Sequence, residues 1–323
     1  MSAICLAVRH ETRYKYRREV AHSHQQLHLT PRNSPRQRCI QHDIQIQPQP
    51  AVRSEHLDAF GNRVTRVELD RPHDQLLVVA DMRVSLEAVP KPPVDTGESW
   101  ERVRDQLCYH AEARSAEWID AMRFRSESAF VRIKRLFGDF ARDCLTPGAT
   151  VQQVAGALMA KVHDEFTYAP GEPEIATPLL DVFHKRRGGC QDYAHLMIAC
   201  LRSAGVAARY VSGYLRTYGP GRESGADDQG GVTPGVVTPG VVTPGAAAAP
   251  MVGADASHAW VAVFAPPFGW LEYDPTNNVC VQQEHVALAW GRDFGDVSPL
   301  RGVILGGGSH TLSVRVAVRP LPA

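Results

Sequence analysis

Between residues 3 and about 88, apolar and polar positions alternate in short runs: ICLAVRH, QQLHLTPR, CIQHDIQIQP, NRVTRVEL and QLLVVADMRVSLEA. A period of two sends successive side chains to opposite faces, so these runs predict antiparallel strands with one buried face. Asp58-Ala59-Phe60-Gly61-Asn62 supplies turn chemistry between two of them, and VPKPPVDTG at 89–97 has the composition of a linker. A β-rich first domain is therefore expected over 1–90.

From 98 to about 170 the spacing becomes helical, in ESWERVRDQLCYHAEARSAEWIDAM, ESAFVRIKRLFGDFARDCL and ATVQQVAGALMAKVHDEF. Thr150 followed by Gln153 reads as a capping box opening the third of these, and Thr177 before Pro178 marks a further short helix start. Beyond them lie one strongly apolar helix over 190–204 and two strands near 258–264 and 269–274. The predicted class is α+β: an N-terminal antiparallel β domain, then a second domain over 98–323 in which helices pack on an antiparallel sheet. Residues 219–254 interrupt the second domain with VTPG at 232–235, 237–240 and 242–245, followed by four alanines. Text of this kind cannot pack a core, so it predicts a mobile insertion.

A length of 323 residues suits two domains, and 44% hydrophobic with 22% charged residues is enough to fold both. Lys plus Arg equals Asp plus Glu at 35 each. With no long basic run, the electrostatic footprint of a nucleic-acid or anionic-membrane partner is missing. The start MSAICLAVRHETRYKY lacks a basic leader with an apolar stretch, and no apolar run reaches spanning length, so a soluble, cytoplasmic protein is expected. Cysteines at 5, 39, 108, 144, 190, 200 and 280 are odd in number and show no metal-type pairs, which predicts free thiols.

One of these thiols stands apart. Gly188-Gly189-Cys190 precedes a helix with apolar residues at 193, 196, 197, 200, 201 and 204 and a glycine stop at 205, so Cys190 opens that helix. Unpaired N–H groups and the positive end of the dipole favour a thiolate there, the reactive form of cysteine. Cys200, on the apolar stripe of the same helix, is expected to be an inert core residue. A base is available in Ser257-His258-Ala259-Trp260, which begins a strand, and the next strand ends in Asp274-Pro275. If Phe264 pairs with Trp270, then Trp260 lies opposite Asp274, and His258 becomes its diagonal neighbour on the same face. Taken singly, a strand-start histidine and an Asp-Pro terminator have ordinary structural readings. Together with Cys190 they offer nucleophile, base and orienter.

Gly-Gly-Cys190-Gln-Asp-Tyr-Ala-His195, Arg209-Tyr-Val-Ser-Gly-Tyr214, Ser257-His-Ala-Trp260 and Asp274-Pro-Thr-Asn277 resemble the bacterial transglutaminase-like superfamily, over a core of about 160–320. The strand-rich start with LTPR and DAFGN is similar to the N-terminal domain often attached to it. The resemblance implies a papain-like core, with Cys190 as nucleophile, His258 as general base and acid, and Asp274 as the residue that orients the imidazole. It implies cysteine-dependent acyl transfer on the amide bonds of a peptide or protein substrate, as peptidase, amidase or deamidase, or as a transamidating enzyme with an amine acceptor. No metal and no cofactor is called for. The alternative is a catalytically silent peptide-binding module that keeps a papain-like groove.

Three further clusters carry weaker signals. His22, His24 and His28 share strand parity, yet no Cys or carboxylate joins them at ligand spacing, so a solvated strand face is expected. Lys185-Arg186-Arg187 lies close before Cys190, where a basic group could favour its thiolate or hold a substrate carboxylate. Asp192 and His195 are expected to cap the helix start and to fill space beside the cleft, respectively.

Overall fold

The computed structural model describes residues 3–108, 115–169, 178–217, 251–253 and 257–321; the VTPG repeats lie outside the described residues. Of the runs predicted as strands, ICLAVRH and the start of QQLHLTPR merge into one long strand, β1 (Ile4–Leu27), and the other three form β2 (Gln37–Gln47), β4 (Arg63–Leu69) and β5 (His73–Leu86); β3 (Val52–Leu57) was not expected, and the order is β2-β5-β1-β4-β3. β1 is 24 residues long and serves two neighbours in turn: residues 4–15 pair with β5, and residues 23–27 pair with β4. Its buried face changes parity midway. Leu6, Val8, His10, Thr12 and Val20 are buried in the first stretch, Ser23, Gln25 and Leu27 in the second. The register shift between Val20 and His22 accounts for the change, because an extra residue in a ladder inverts which side chains point inward. His22 and His24 consequently turn outward.

The second region runs α1 (Trp100–Gln106), α2 (Ala116–Met122), α3 (Arg135–Ala141), α4 (Val151–Glu165), β6 (Thr167–Tyr168), α5 (Leu179–Lys185), β7 (Arg187–Gly188), α6 (Cys190–Ser203), β8 (Ala208–Leu215), β9 (His258–Phe264), β10 (Trp270–Asp274), β11 (Val279–Cys280), β12 (His285–Gly291) and α7 (Phe294–Val297). The capping box opens α4 as expected, with Gln153 N–H on Thr150 Oγ1 and Thr150 N–H on Gln153 Oε1. Pro178 is the N-cap of α5, while Thr177 lies outside the described residues. The helix expected across 127–145 begins only at Arg135. Upstream, Glu127 Oε1 takes the Ile133 N–H at 2.7 Å and Asp293 Oδ2 takes that of Phe130 at 2.8 Å, so side chains capture the amides a helix would have used.

Strands β11-β10-β9-β8-β12 form one antiparallel sheet. α6 packs on β8 and β9, with α3, α4 and α5 against it. Every residue from Tyr193 to Arg202 is buried, the property of a helix enclosed on all sides. Among the described residues no helix is long and apolar enough to cross a membrane.

The chain end departs from the expected division. Residues 300–320, assigned from sequence to the second domain, form β13 (Leu300–Gly306) and β14 (His310–Pro320), and both pair with β1. They cover an edge that β1 would otherwise expose along most of its length, where unpaired N–H and C=O groups invite association. The first domain in return protects the edge of β12. Gln37 bonds both the N–H and C=O of Ala287 (2.8 and 2.7 Å), and Asn62 does the same for Trp290 (3.0 and 2.9 Å). Beside these amides, Arg209 is sandwiched between Trp290 (3.7 Å) and Trp270 (4.2 Å), and Arg32 covers the other face of Trp290 at 3.4 Å. The LTPR and DAFGN segments thus supply Arg32 and Asn62 to the seam between the two sheets.

Candidate active site

Cys190 is the first residue of α6, behind the N-cap Gly189, and is half-buried. Asp192 fastens this turn by accepting the Gly189 N–H at 2.9 Å, the capping role expected of it. A side chain at 188 would collide with it, since a Cβ there would lie 2.7 Å from the Asp192 Cβ. Tyr168 is held nearby by the short parallel pairing of β6 with β7.

β9 and β10 pair with Phe264 opposite Trp270, the register assumed from sequence. His258, the first residue of β9, donates from Nε2 to Asp274 Oδ2 at 2.9 Å, and both side chains are fully buried. The other ring nitrogen, Nδ1, has no hydrogen-bond partner among the described residues, and the Cys190 sulfur is near enough to the ring to raise its pKa. Cys190 Sγ also lies 4.0 Å from the Ser257 carbonyl. The structure therefore brings Cys190, His258 and Asp274 together.

Burial works against charge on His258, but the Cys190 sulfur and the hydrogen bond to Asp274 outweigh it and raise the imidazole to about 10. Burial likewise opposes charge on Asp274, yet hydrogen bonds from two histidines hold its carboxyl far below the usual carboxylate range. The second of these is His285, whose Nε2 donates to the same Oδ2 at 3.1 Å. Burial lowers His285 despite its hydrogen bond to Asp274, the opposite of the shift at His258. Asn277 Nδ2–H adds a bond to Oδ2 at 2.8 Å, and the N–H groups of Thr276 and Asn277 bind Oδ1 at 2.9 and 3.3 Å. Asp274 is thus the hub of the site.

His285 and Asn277 were given no role from sequence. The available signal was that His285, like His258, opens an apolar strand, and that Asn277 closes the Asp274-Pro-Thr-Asn motif. A further unanticipated pair supports β10 from the first domain: Arg36 binds Glu272 at 3.0 Å, and the same oxygen accepts Trp260 Nε1–H at 2.7 Å. Gly213 makes room for that indole, because a Cβ would lie 2.4 Å from the Trp260 ring and 2.1 Å from the Val286 carbonyl oxygen. The Arg209–Tyr214 and Ser257–Trp260 motifs are in this sense two halves of one packing arrangement.

The other candidates resolve differently. Arg186 binds Glu165 at 3.1 Å and stacks over Phe140, Phe166 and Phe183, which makes it structural. Burial pushes the Cys200 thiol far up, as an inert core thiol requires. His195 is buried, lowered to about 4 by that burial, and accepts the Phe294 N–H at 3.1 Å. His28 leaves the histidine group: it is buried and bonds the Ser298 carbonyl. Glu68 enters in its place, so the expectation that no carboxylate joins His22 and His24 was wrong, because strand pairing supplies one. Of the insertion, residues 251–253 are described, and they dock on the site. Val252 N–H donates to Asn277 Oδ1 at 2.8 Å, and a Cβ on Gly253 would come within 3.0 Å of His258 Nδ1 and 3.1 Å of the Tyr168 hydroxyl.

Residues 6–85 match the bacterial transglutaminase-like N-terminal region, and residues 138–275 match the transglutaminase-like superfamily. An uncharacterized protein of Mycobacterium tuberculosis is 34% identical over 311 residues, which is 92% of this chain and 86% of that one. A protein-glutamine gamma-glutamyltransferase of Pseudomonas aeruginosa is 31% identical over 164 residues, 47% of this chain and 21% of that one. Among solved structures, a candidate cysteine protease from Cytophaga hutchinsonii superposes with a TM-score of 0.69 at 16% identity, covering 100% of this chain and 92% of that one. The last likeness is one of fold.

Proposed function

We propose that this chain, which belongs to the transglutaminase-like superfamily of cysteine-based enzymes, transfers acyl groups from amide bonds of a peptide or protein through a Cys190 thioester. The observation that carries the reading is the orientation of His258, with Nε2–H committed to Asp274 and Nδ1 left for the thiol at the start of α6. Cys190 sulfur attacks the carboxamide carbon, forming the C–S bond and placing negative charge on oxygen. The Cys190 N–H, at a helix start where amides lack intrahelical partners, is a donor for that oxyanion. As the C–N bond breaks, the His258 imidazolium gives its proton to the departing ammonia or amine. Water or a primary amine then attacks the thioester, loses its proton to His258, and releases acid or a new amide with the thiol restored.

Asp274 holds the imidazole in the tautomer this sequence needs and supports its charge between steps. The test is alkylation of the folded protein with limiting iodoacetamide near neutral pH, mapped by mass spectrometry, in wild type and His258→Ala. Fast labelling of Cys190 over Cys200 that collapses in the variant supports the pair. Slow labelling of Cys190, unchanged by the substitution, would instead favour the silent binding module. Ammonia release from a glutamine peptide, with and without a primary amine, then separates hydrolysis from transamidation.

A further inference from the structure

Away from the cysteine, the open face of the first sheet gathers three potential metal ligands. His22 and His24 are two residues apart on β1, with the fully buried Ser23 between them pointing the other way. β4 places Glu68 directly opposite His24, so all three side chains rise from one face. The two Nε2 atoms are 3.0 Å apart, His22 Nε2 is 3.3 Å from Glu68 Oε1, and one ligand atom from each residue lies within 4.8 Å of the others. A four-coordinate zinc with bonds near 2.0–2.1 Å has neighbouring ligand atoms roughly 3.3 Å apart. Two of the distances already approach that edge length.

The surroundings fit a bound ion better than a plain solvated face. Across β1, β13 sets Leu305 opposite His22 and Val303 opposite His24, and these apolar side chains are 68% and 75% exposed. An apolar rim limits water around a cation and strengthens its attraction to the ligands. A depression of about 550 Å³ opens beside the cluster, bordered by His24, Glu68 and Val303 together with Arg66 and Arg301 but not by His22, and gives a fourth ligand access from the His24 and Glu68 side. Two imidazoles and one carboxylate suit zinc and its transition-metal neighbours rather than calcium or magnesium, which prefer oxygen alone.

We propose that His22, His24 and Glu68 bind one divalent transition-metal ion of the zinc class, with the remaining coordination position open to water or another ligand. The ion ties β1 to β4. The assignment is independent of the chemistry at Cys190.

The test is calorimetric titration of zinc chloride into full-length protein previously dialysed against chelator. Cys190→Ala is used as the background so that the thiol cannot compete. That protein should bind one more zinc equivalent than Cys190→Ala/His22→Ala/His24→Ala, or bind it more than about 100-fold more tightly, since loss of even an outer-shell partner costs 10-fold to 100-fold. Glu68→Gln should weaken the same equivalent. The substituted side chains are 35%, 63% and 35% exposed for His22, His24 and Glu68, so the variants should fold. A tetrahedral cobalt spectrum lost in the double-histidine variant gives a second readout. Identical stoichiometry and affinity in the two backgrounds would overturn the site, as would cobalt absorption unchanged by the histidine substitutions.

Discussion

Replacing Asp274 with asparagine keeps the shape of the hub and removes its charge, so its effect can be worked out from the five hydrogen bonds the carboxylate accepts. Oδ2 receives His258, His285 and Asn277 Nδ2, and Oδ1 receives the Thr276 and Asn277 N–H groups. An amide nitrogen at the Oδ2 position faces three donors. Flipped, it faces the two backbone donors and leaves a neutral carbonyl for the histidines. The less costly flip strands the buried Thr276 N–H and the half-buried Asn277 N–H; at about 1–3 kcal/mol for each fully buried group, the total is at most about 2–6 kcal/mol. Typical domains are stable by about 5–15 kcal/mol, so Asp274→Asn should remain folded with a lower urea midpoint and an unchanged slope. Activity should suffer more, because His258 loses both its tautomer control and its counter-charge; the equivalent change in a serine triad lowers turnover by about 10⁴-fold. Urea denaturation and Cys190 alkylation on the same preparation measure the two effects. A stability loss under about 1 kcal/mol together with wild-type alkylation would refute the hub assignment.

Stability should also depend on pH through His258, whose folded value of about 10 lies above its unfolded value of 6.5. A raised histidine contributes stability that is fully present below about 6.5 and lost as pH rises through about 10. The advantage of wild type over His258→Gln in urea denaturation should therefore shrink across that window, and an advantage that grows instead would contradict the charged-imidazole reading. Arg209→Lys should cost about 1–2 kcal/mol, because an ammonium cannot fill the planar slot between Trp270 and Trp290; an unchanged urea midpoint would show the stack to be inert. Gly253→Ala should slow Cys190 alkylation without lowering global stability, since its methyl would press on His258 Nδ1 and the Tyr168 hydroxyl from a backbone at φ +86°. Equal alkylation rates would mean that residues 251–253 stand clear of the imidazole in solution.

Much of the candidate site was legible because its signals are local. Paired glycines before an apolar helix place Cys190 at a helix start whatever surrounds it, and alternation with a tight Ala265–Phe268 connection sets the β9–β10 register that joins His258 to Asp274. The strands of the first domain other than β3 follow from period two in the same way. Other features depend on groups brought together by the fold. Sequence spacing gave no reason to join His285 to Asp274, or Arg36 to Glu272 across 236 positions. Gln37 and Asn62 read as ordinary turn and strand residues until β12 presents an edge for their amides to complete. The return of β13 and β14 to β1 was equally hidden, since alternation marks a strand but not its partner. Glu68 shows the limit most directly: 44 residues separate it from His24 along the chain, and only antiparallel pairing of β1 with β4 sets the carboxylate beside the imidazoles.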